Sequence, residues 1–277
     1  MDTRIAELNL YPIKGCRGIS LPRATLAATG LAVGAIGDRE WLVVDAEHEF
    51  MSQREHPRMA LIATRLTGDS LRLQAPGMLT LEVPFASEGD AVEAQVWNDR
   101  VDAVTQGEVA DAWFSEFLGA PARLLRFDPE ARRLASRQYT GDDEAPYKFA
   151  DAFALLITGN ASLADLNAKL ATRIPVPITM ARFRANIVLD GLAAFEEDYA
   201  TALRVNGINI RPVKPCARCT VPGVDPASGI ASSEVPDVLA SFRRTERGVL
   251  FGINAIVVAG AGGELRVGDK VEVELAL

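Results

Sequence analysis

The first hundred residues constrain the fold most, because they read as short apolar segments cut at close intervals by turn residues. ELNLYPI sets Leu8 and Leu10 on one face and Glu7 and Asn9 on the other, the period-2 pattern of a half-buried strand. REWLVVD, residues 59–66, SLRLQA, LTLEVPF, VEAQVW and RVDAVT follow. Gly15 and Gly18, Gly68-Asp69, Pro76-Gly77, Gly89-Asp90 and Asn98-Asp99 separate them. Many short strands at regular spacing predict an antiparallel barrel or sandwich.

The pattern changes at residue 108. Val109, Trp113 and Phe117 repeat every four residues, which predicts an amphipathic helix over 108–118 ending at Gly119. A domain boundary is placed there, dividing the chain into 1–120 and 121–277. Residues 136–148 are polar and read as a loop or lid. Asn160 is expected to cap a helix carrying Leu163, Leu166 and Leu170. Strands then return in NIVLDG, residues 208–213, TVPGV, LFGINAIVV and KVEVEL, with one short helix over 235–242. Gly268-Asp269 is expected to close a hairpin, as is the glycine-rich stretch 260–263.

Several functions are excluded early. There are 29 Lys and Arg against 37 Asp and Glu, a formal charge of −8, so no global basic character favours nucleic acid. No P-loop, no G-x-S-x-G elbow and no H-E-x-x-H is present. His48 and His56 are the only two histidines, too few for a His-rich metal site, and both read as turn residues in a polar stretch. Three cysteines fit a reducing compartment better than a disulfide framework. The N-terminus has no signal-peptide pattern and no segment is apolar enough to span a membrane, so a cytoplasmic, soluble protein is expected.

Cys216-Ala-Arg-Cys219 is the sharpest local feature. It could be half a zinc site, but the second half is missing. A thioredoxin-like pair needs a helix to start at the motif, and Pro222 and Gly223 oppose one. Two small buried residues at a strand start is the plain reading. Alternatively, one thiolate serves as a single protein ligand to a soft transition metal whose other ligands come from a cofactor. Cations elsewhere suit that option: Lys14 in YPIKGC, Arg39 in GDREWLVV, and Arg184 with Asn186 in FRANIVLDG, two apart as on one strand face. Each can equally be a surface charge or a local ion pair, and Asp38 beside Arg39 would serve.

Six blocks now stand in order: LYPIKGCRGISL, GDREWLVVD with MSQREHPRMALI, FADAFALLITGNASLADLN, RFRANIVLDG with FEED, KPCARCTVPGVDPASG, and a closing VGDKVEV. In these the chain resembles, over nearly its whole length, the MOSC-domain proteins that also carry the MOSC N-terminal β-barrel domain. That group contains the mitochondrial amidoxime-reducing component and its bacterial relatives. The resemblance implies a β-rich α+β fold: an N-terminal antiparallel β-barrel-like domain, then a mostly β MOSC barrel with a few helices. It also implies a molybdenum–molybdopterin cofactor (Mo-pterin) and reduction of N-hydroxylated substrates by two-electron removal of oxygen. Cys219 matches the metal ligand, with Cys216 as fallback. Lys14, Arg39 and Arg184 match grips on the cofactor, and Asn186 and Asp151 match residues of the same pocket. Asp151 is further expected to orient or protonate near the metal. The chain departs from the family pattern at Gly15, where a serine is usual, at Ala185 and Ala154, where prolines are common, and at Tyr199. The four cysteines of a ferredoxin-like extension are absent, so electrons are expected from a separate ferredoxin- or flavin-type reductase. The other functions open to such a chain are a cofactor carrier and sulfur transfer through a cysteine persulfide.

Overall fold

The computed structural model describes residues 2–86 and 89–276. Among these the chain is strand-rich, with four α-helices, as the repeated short segments predict. The largest sheet has nine strands. Its path runs Ile19–Leu21, Arg4–Leu10, Ile187–Asp190, Leu155–Gly159, Gly248–Ala259, Ile208–Ala217, Ala200–Val205 and Glu272–Leu275, with Arg244–Thr245 pairing off that path. Two four-stranded sheets and one three-stranded sheet complete the β structure.

One pair in the large sheet is parallel. Leu155–Gly159 is buried along its length, and the helix Asn160–Leu170 carries the chain on toward Ile187–Asp190, which lies parallel beside it. A strand covered on both faces needs no alternation, which is why LLITG reads as a continuous run. The helix cap differs from the expectation. Gly159 is the N-cap, and the buried Glu197 stands in for a capping side chain by accepting the Gly159 N–H at 3.0 Å and the Ser162 hydroxyl at 2.7 Å. Asn160 instead donates to Asp190 at 2.8 Å.

The helix Glu108–Leu118 forms where periodicity placed it and ends on Gly119 at φ 70, a left-handed residue glycine adopts without steric cost. Its inner face is Ala110, Trp113, Phe114 and Phe117; Val109 faces solvent.

Four expectations fail, two of them because strand pairing is long-range. The turns at 260–263 and 268–269 are not hairpins, because Gly263–Arg266 pairs with Arg23–Ala27 and Glu272–Leu275 pairs with Ala200–Val205. TVPGV is not a strand; Val221–Gly223 is a 3-10 turn. Residues 59–66 divide into the 3-10 helix Pro57–Leu61 and the strand Ala63–Leu66. Four short strands between 19 and 37 carried no clear alternation and went unread. Strand pairing crosses residue 120 in both directions. Arg4–Leu10 lies inside the later sheet against Ile187–Asp190, and Arg123–Phe127 joins the earlier one beside Trp41–Val44.

Register sets the site. Leu8, Ile187, Ile157, Ile253 and Pro215 form one row across five adjacent strands. Lys14, Arg184 with Asn186, residues 151–156, and Asn254 with Lys214 all leave the row on the same side. The strand Ile208–Ala217 is bulged at 212/214 and again at 215/217, which re-aims its end.

Candidate functional site

A cavity of about 380 Å³ opens beside that row. Lys14, Arg39, Asp151, Arg184, Asn186, Cys216 and Cys219 all line it. Seven residues named from five distant stretches of sequence therefore line one cavity.

Lys14 is nearly sealed in protein. Its ammonium donates to the Phe149 carbonyl at 3.0 Å and to Asp151 at 2.5 Å. Burial lowers its pKa, and the carboxylate beside it offsets part of that fall. Asp151 lies on the open wall of the cavity, its side chain 70% exposed. Burial alone would raise its pKa, but the Lys14 charge and hydrogen bond outweigh this, with help from the Trp97 indole N–H donated at 2.9 Å. The carboxyl is held below the ordinary carboxylate range and is ionised at neutral pH.

Arg39 forms the ion pair with Asp38 that the sequence allowed, and the aspartate is buried. The pair does not use up the guanidinium, which also donates to Asn186 at 3.0 Å and to the Arg184 carbonyl at 3.1 Å. Arg184 is a donor with capacity to spare. One terminal nitrogen donates to the Cys16 carbonyl, while Nη2 is buried and finds no hydrogen-bond partner among the described residues. Burial and the neighbouring Arg39 charge pull its pKa down to about 10, leaving it cationic at neutral pH.

The two arginines are not placed as a strand would place them. Arg39 sits at φ 48 and Arg184 at φ 58, in the left-handed region that side chains other than glycine rarely occupy. Arg184 precedes its strand, so the i, i+2 argument for Arg184 and Asn186 does not hold although both reach the cavity. Trp97, also on the cavity wall, is left-handed at φ 58. Such residues cost about 1–3 kcal/mol each and cluster where function requires them.

Asn186 is committed to architecture. Its Oδ1 accepts from Arg39 and, at 3.1 Å, from the Leu156 N–H, while Nδ2 donates to the Asn9 carbonyl at 3.3 Å. It orients Arg39 and ties three strands at the cavity floor.

The cysteines differ from one another. Cys216 lies within the strand Ile208–Ala217, and the Arg218 guanidinium donates to its sulfur at 3.2 Å. Cys219 lies past the strand end, exposed on the cavity wall. Cys16 is fully buried, its thiol pushed up to about 12 by burial. Among the described residues no group of three or more His, Cys, Asp or Glu is placed to hold a metal, so the zinc reading of Cys216 and Cys219 finds no partners.

Sequence reasoning missed much of the lining. Lys214 adds a cation above the Tyr139 ring at 4.3 Å. Arg218 contributes a guanidinium whose Nε is buried without a partner among the described residues. Arg54 stacks over Trp97 at 4.6 Å, with Phe50 4.9 Å from that ring. Only the Asn98-Asp99 turn signal, one residue on, hinted that Trp97 would be displayed.

The cavity thus joins a cluster of cations to an exposed thiol. Charge-assisted donors of this kind suit a phosphate or other anion, and a thiolate suits a soft metal.

The MOSC N-terminal beta barrel domain family matches residues 2–121, and the MOSC domain family matches residues 144–272. Mitochondrial amidoxime reducing component 2 of Bos taurus is 33% identical over 281 residues, covering 96% of this chain and 82% of that protein. The Homo sapiens component 2 is 34% identical with the same two coverages. The Homo sapiens component 1 is 31% identical over 96% of this chain and 82% of its own length.

Proposed function

The chain belongs to the MOSC-domain family that includes the mitochondrial amidoxime-reducing components, and from that premise we propose that it is a molybdenum–pterin-dependent oxidoreductase acting on N-hydroxylated substrates. The observation that carries the proposal is the convergence of Lys14, Arg39, Arg184 and Cys219 on one cavity.

The residues present fit such a cofactor. The unpartnered buried Nη2 of Arg184 is a donor awaiting an acceptor, and a buried donor left unmade costs about 1–3 kcal/mol. An anionic phosphate meets that need and the surplus positive charge around it. Lys14, Arg39 and Arg184 would hold the phosphate and pterin, and Asn186 would fix Arg39. Cys219 would be the protein's ligand to the metal, since its thiol is exposed to the cavity while that of Cys216 is engaged by Arg218. When bound, a molybdenum–pterin group supplies a two-electron redox centre for removing oxygen from an N–O bond.

The balanced reaction takes an N–OH group, two electrons and two protons to N–H and water. Asp151 holds a carboxylate on the open wall, bonded to the Lys14 ammonium and the Trp97 indole, where it can orient a substrate N–H or hydroxyl and relay protons from solvent. Electrons would come from a separate donor protein of ferredoxin or flavin type. A cytoplasmic location is part of the proposal; the relatives are named mitochondrial, and among the described residues no helix is long and apolar enough to cross a membrane.

The test is elemental and pterin analysis of protein from a host that makes the cofactor, followed by turnover of benzamidoxime with an artificial reductant. About one molybdenum per chain with turnover supports the enzyme. Loading without turnover would make it a cofactor carrier, and a persulfide without metal would make it a sulfur-transfer protein.

A further inference from the structure

Tyr11 touches both site arginines at once. The guanidinium carbon of Arg39 lies 4.5 Å from the centroid of its ring, and that of Arg184 lies 4.4 Å from the same centroid. The backbone bonds of Tyr11 are just as specific. Its N–H donates to Asp38 at 2.8 Å, and its carbonyl accepts the Arg39 N–H at 2.7 Å. Its hydroxyl donates to the carbonyl of Ala185, the residue after Arg184, at 3.3 Å. The ring is almost wholly buried, at 4% exposure.

Two like charges held close repel one another, and both arginines sit on a backbone that opposes their placement. Something must hold them in position before an anion arrives. An aromatic face is negative, so it attracts a guanidinium and leaves its N–H edges free to donate elsewhere. One ring serving two guanidiniums therefore fixes their spacing without consuming donors. Asp38 already offsets one of the two charges, and a second carboxylate between the arginines would neutralise the site.

We propose that Tyr11 is a positioning residue that pre-organises Arg39 and Arg184 as a two-arginine clamp for a phosphate group. The proposal rests on the cofactor reading only in naming the phosphate as belonging to a pterin. Tyr11 makes no contact with the ligand in this account; it acts through the arginines.

Gly18 gives an independent handle on the same ring. A Cβ added there would stand 2.5 Å from one ring carbon of Tyr11 and 2.7 Å from the next, closer than such atoms approach. Gly18 does not have positive φ, so Gly18→Ala acts by pushing the ring and not by straining its own backbone.

The test titrates inorganic phosphate and pyrophosphate into the protein made in a host without the cofactor, by calorimetry, beside thermal melts. Tyr11→Phe keeps the face and should bind within about twofold of wild type. Tyr11→Leu and Gly18→Ala should lose roughly tenfold in affinity, the size of one charged contact misplaced, while still melting cooperatively. In protein from a cofactor-making host, the two damaged variants should also release pterin on gel filtration, followed by pterin fluorescence, and Tyr11→Phe should retain it. Wild-type affinity in Tyr11→Leu, or in Gly18→Ala should Tyr11→Leu fail to fold, overturns the role of Tyr11. Wild type that binds neither anion overturns the phosphate site itself, and the clamp with it.

Discussion

The Lys14 ammonium and the Asp151 carboxylate meet at 2.5 Å although the lysine side chain is 11% exposed and the aspartate 70%. One partner is buried and the other faces the cavity. Asp151→Asn should therefore destabilise the protein by about 1 kcal/mol, less than the 1.5–3 of a fully buried charged hydrogen bond because solvent screens the carboxylate. The pH dependence has a definite sign. A carboxylate whose folded pKa is depressed stabilises above its unfolded value near ~4, and that stability is lost as pH falls toward the folded value. Melting curves should show a wild-type advantage that is flat from pH 6 to 8 and shrinks below about pH 4. An advantage unchanged into acid would mean the ion pair contributes nothing.

Gly15 stands where the family resemblance leads one to expect serine, and its surroundings oppose a side chain. Its φ is 85, and a Cβ there would lie 2.7 Å from the Cε of the buried Met59. Gly15→Ser should cost about 1–2 kcal/mol, part from left-handed backbone and part from the methionine. Combined with Met59→Ala, the steric part should vanish, giving a coupling of at least about 0.5 kcal/mol in a double-mutant cycle. Strict additivity would show that Met59 does not exclude the side chain.

How far these features could be read in advance depends on whether their signal is local. The helix Glu108–Leu118 and its Gly119 stop depend on spacing within one segment and were legible. The site residues could be named because each sits in a recognisable block. Their convergence could not be derived, since it follows from a register row joining Leu8 to Pro215 through three intervening strands. The left-handed backbone at Arg39 and Arg184 had no signal, as arginine does not prefer it. Lys214 and Arg218 reach the cavity because the strand Ile208–Ala217 is bulged, and neither carried a motif of its own.

The three cysteines should separate under thiol labelling. Cys219 is exposed and should react first, the half-buried Cys216 more slowly, and the buried Cys16 only on unfolding. Activity per bound molybdenum should be abolished in Cys219→Ser and at most reduced in Cys216→Ser. The Cys16 side chain is sealed in an apolar cluster. Cys16→Ser should lose about 1–3 kcal/mol of stability with little change in specific activity. An inactive Cys216→Ser beside an active Cys219→Ser would exchange their roles, and equal loss in both would favour a dithiol or persulfide.

Arg184 allows backbone strain and anion binding to be measured at one position. Both Arg184→Ala and Arg184→Gly remove the guanidinium, its bond to the Cys16 carbonyl and its contact with Tyr11. Only glycine also relieves the φ of 58. The glycine variant should therefore be more stable than the alanine variant by about 1 kcal/mol, visible as a higher melting temperature. Pterin retention should not follow that order. It should fall equally in both, because the missing donor is the same. Should alanine match glycine in stability, the left-handed conformation costs nothing at this position. Full retention in both variants would place the phosphate elsewhere in the cavity, leaving Lys14, Arg39 and Lys214 as the cations to examine.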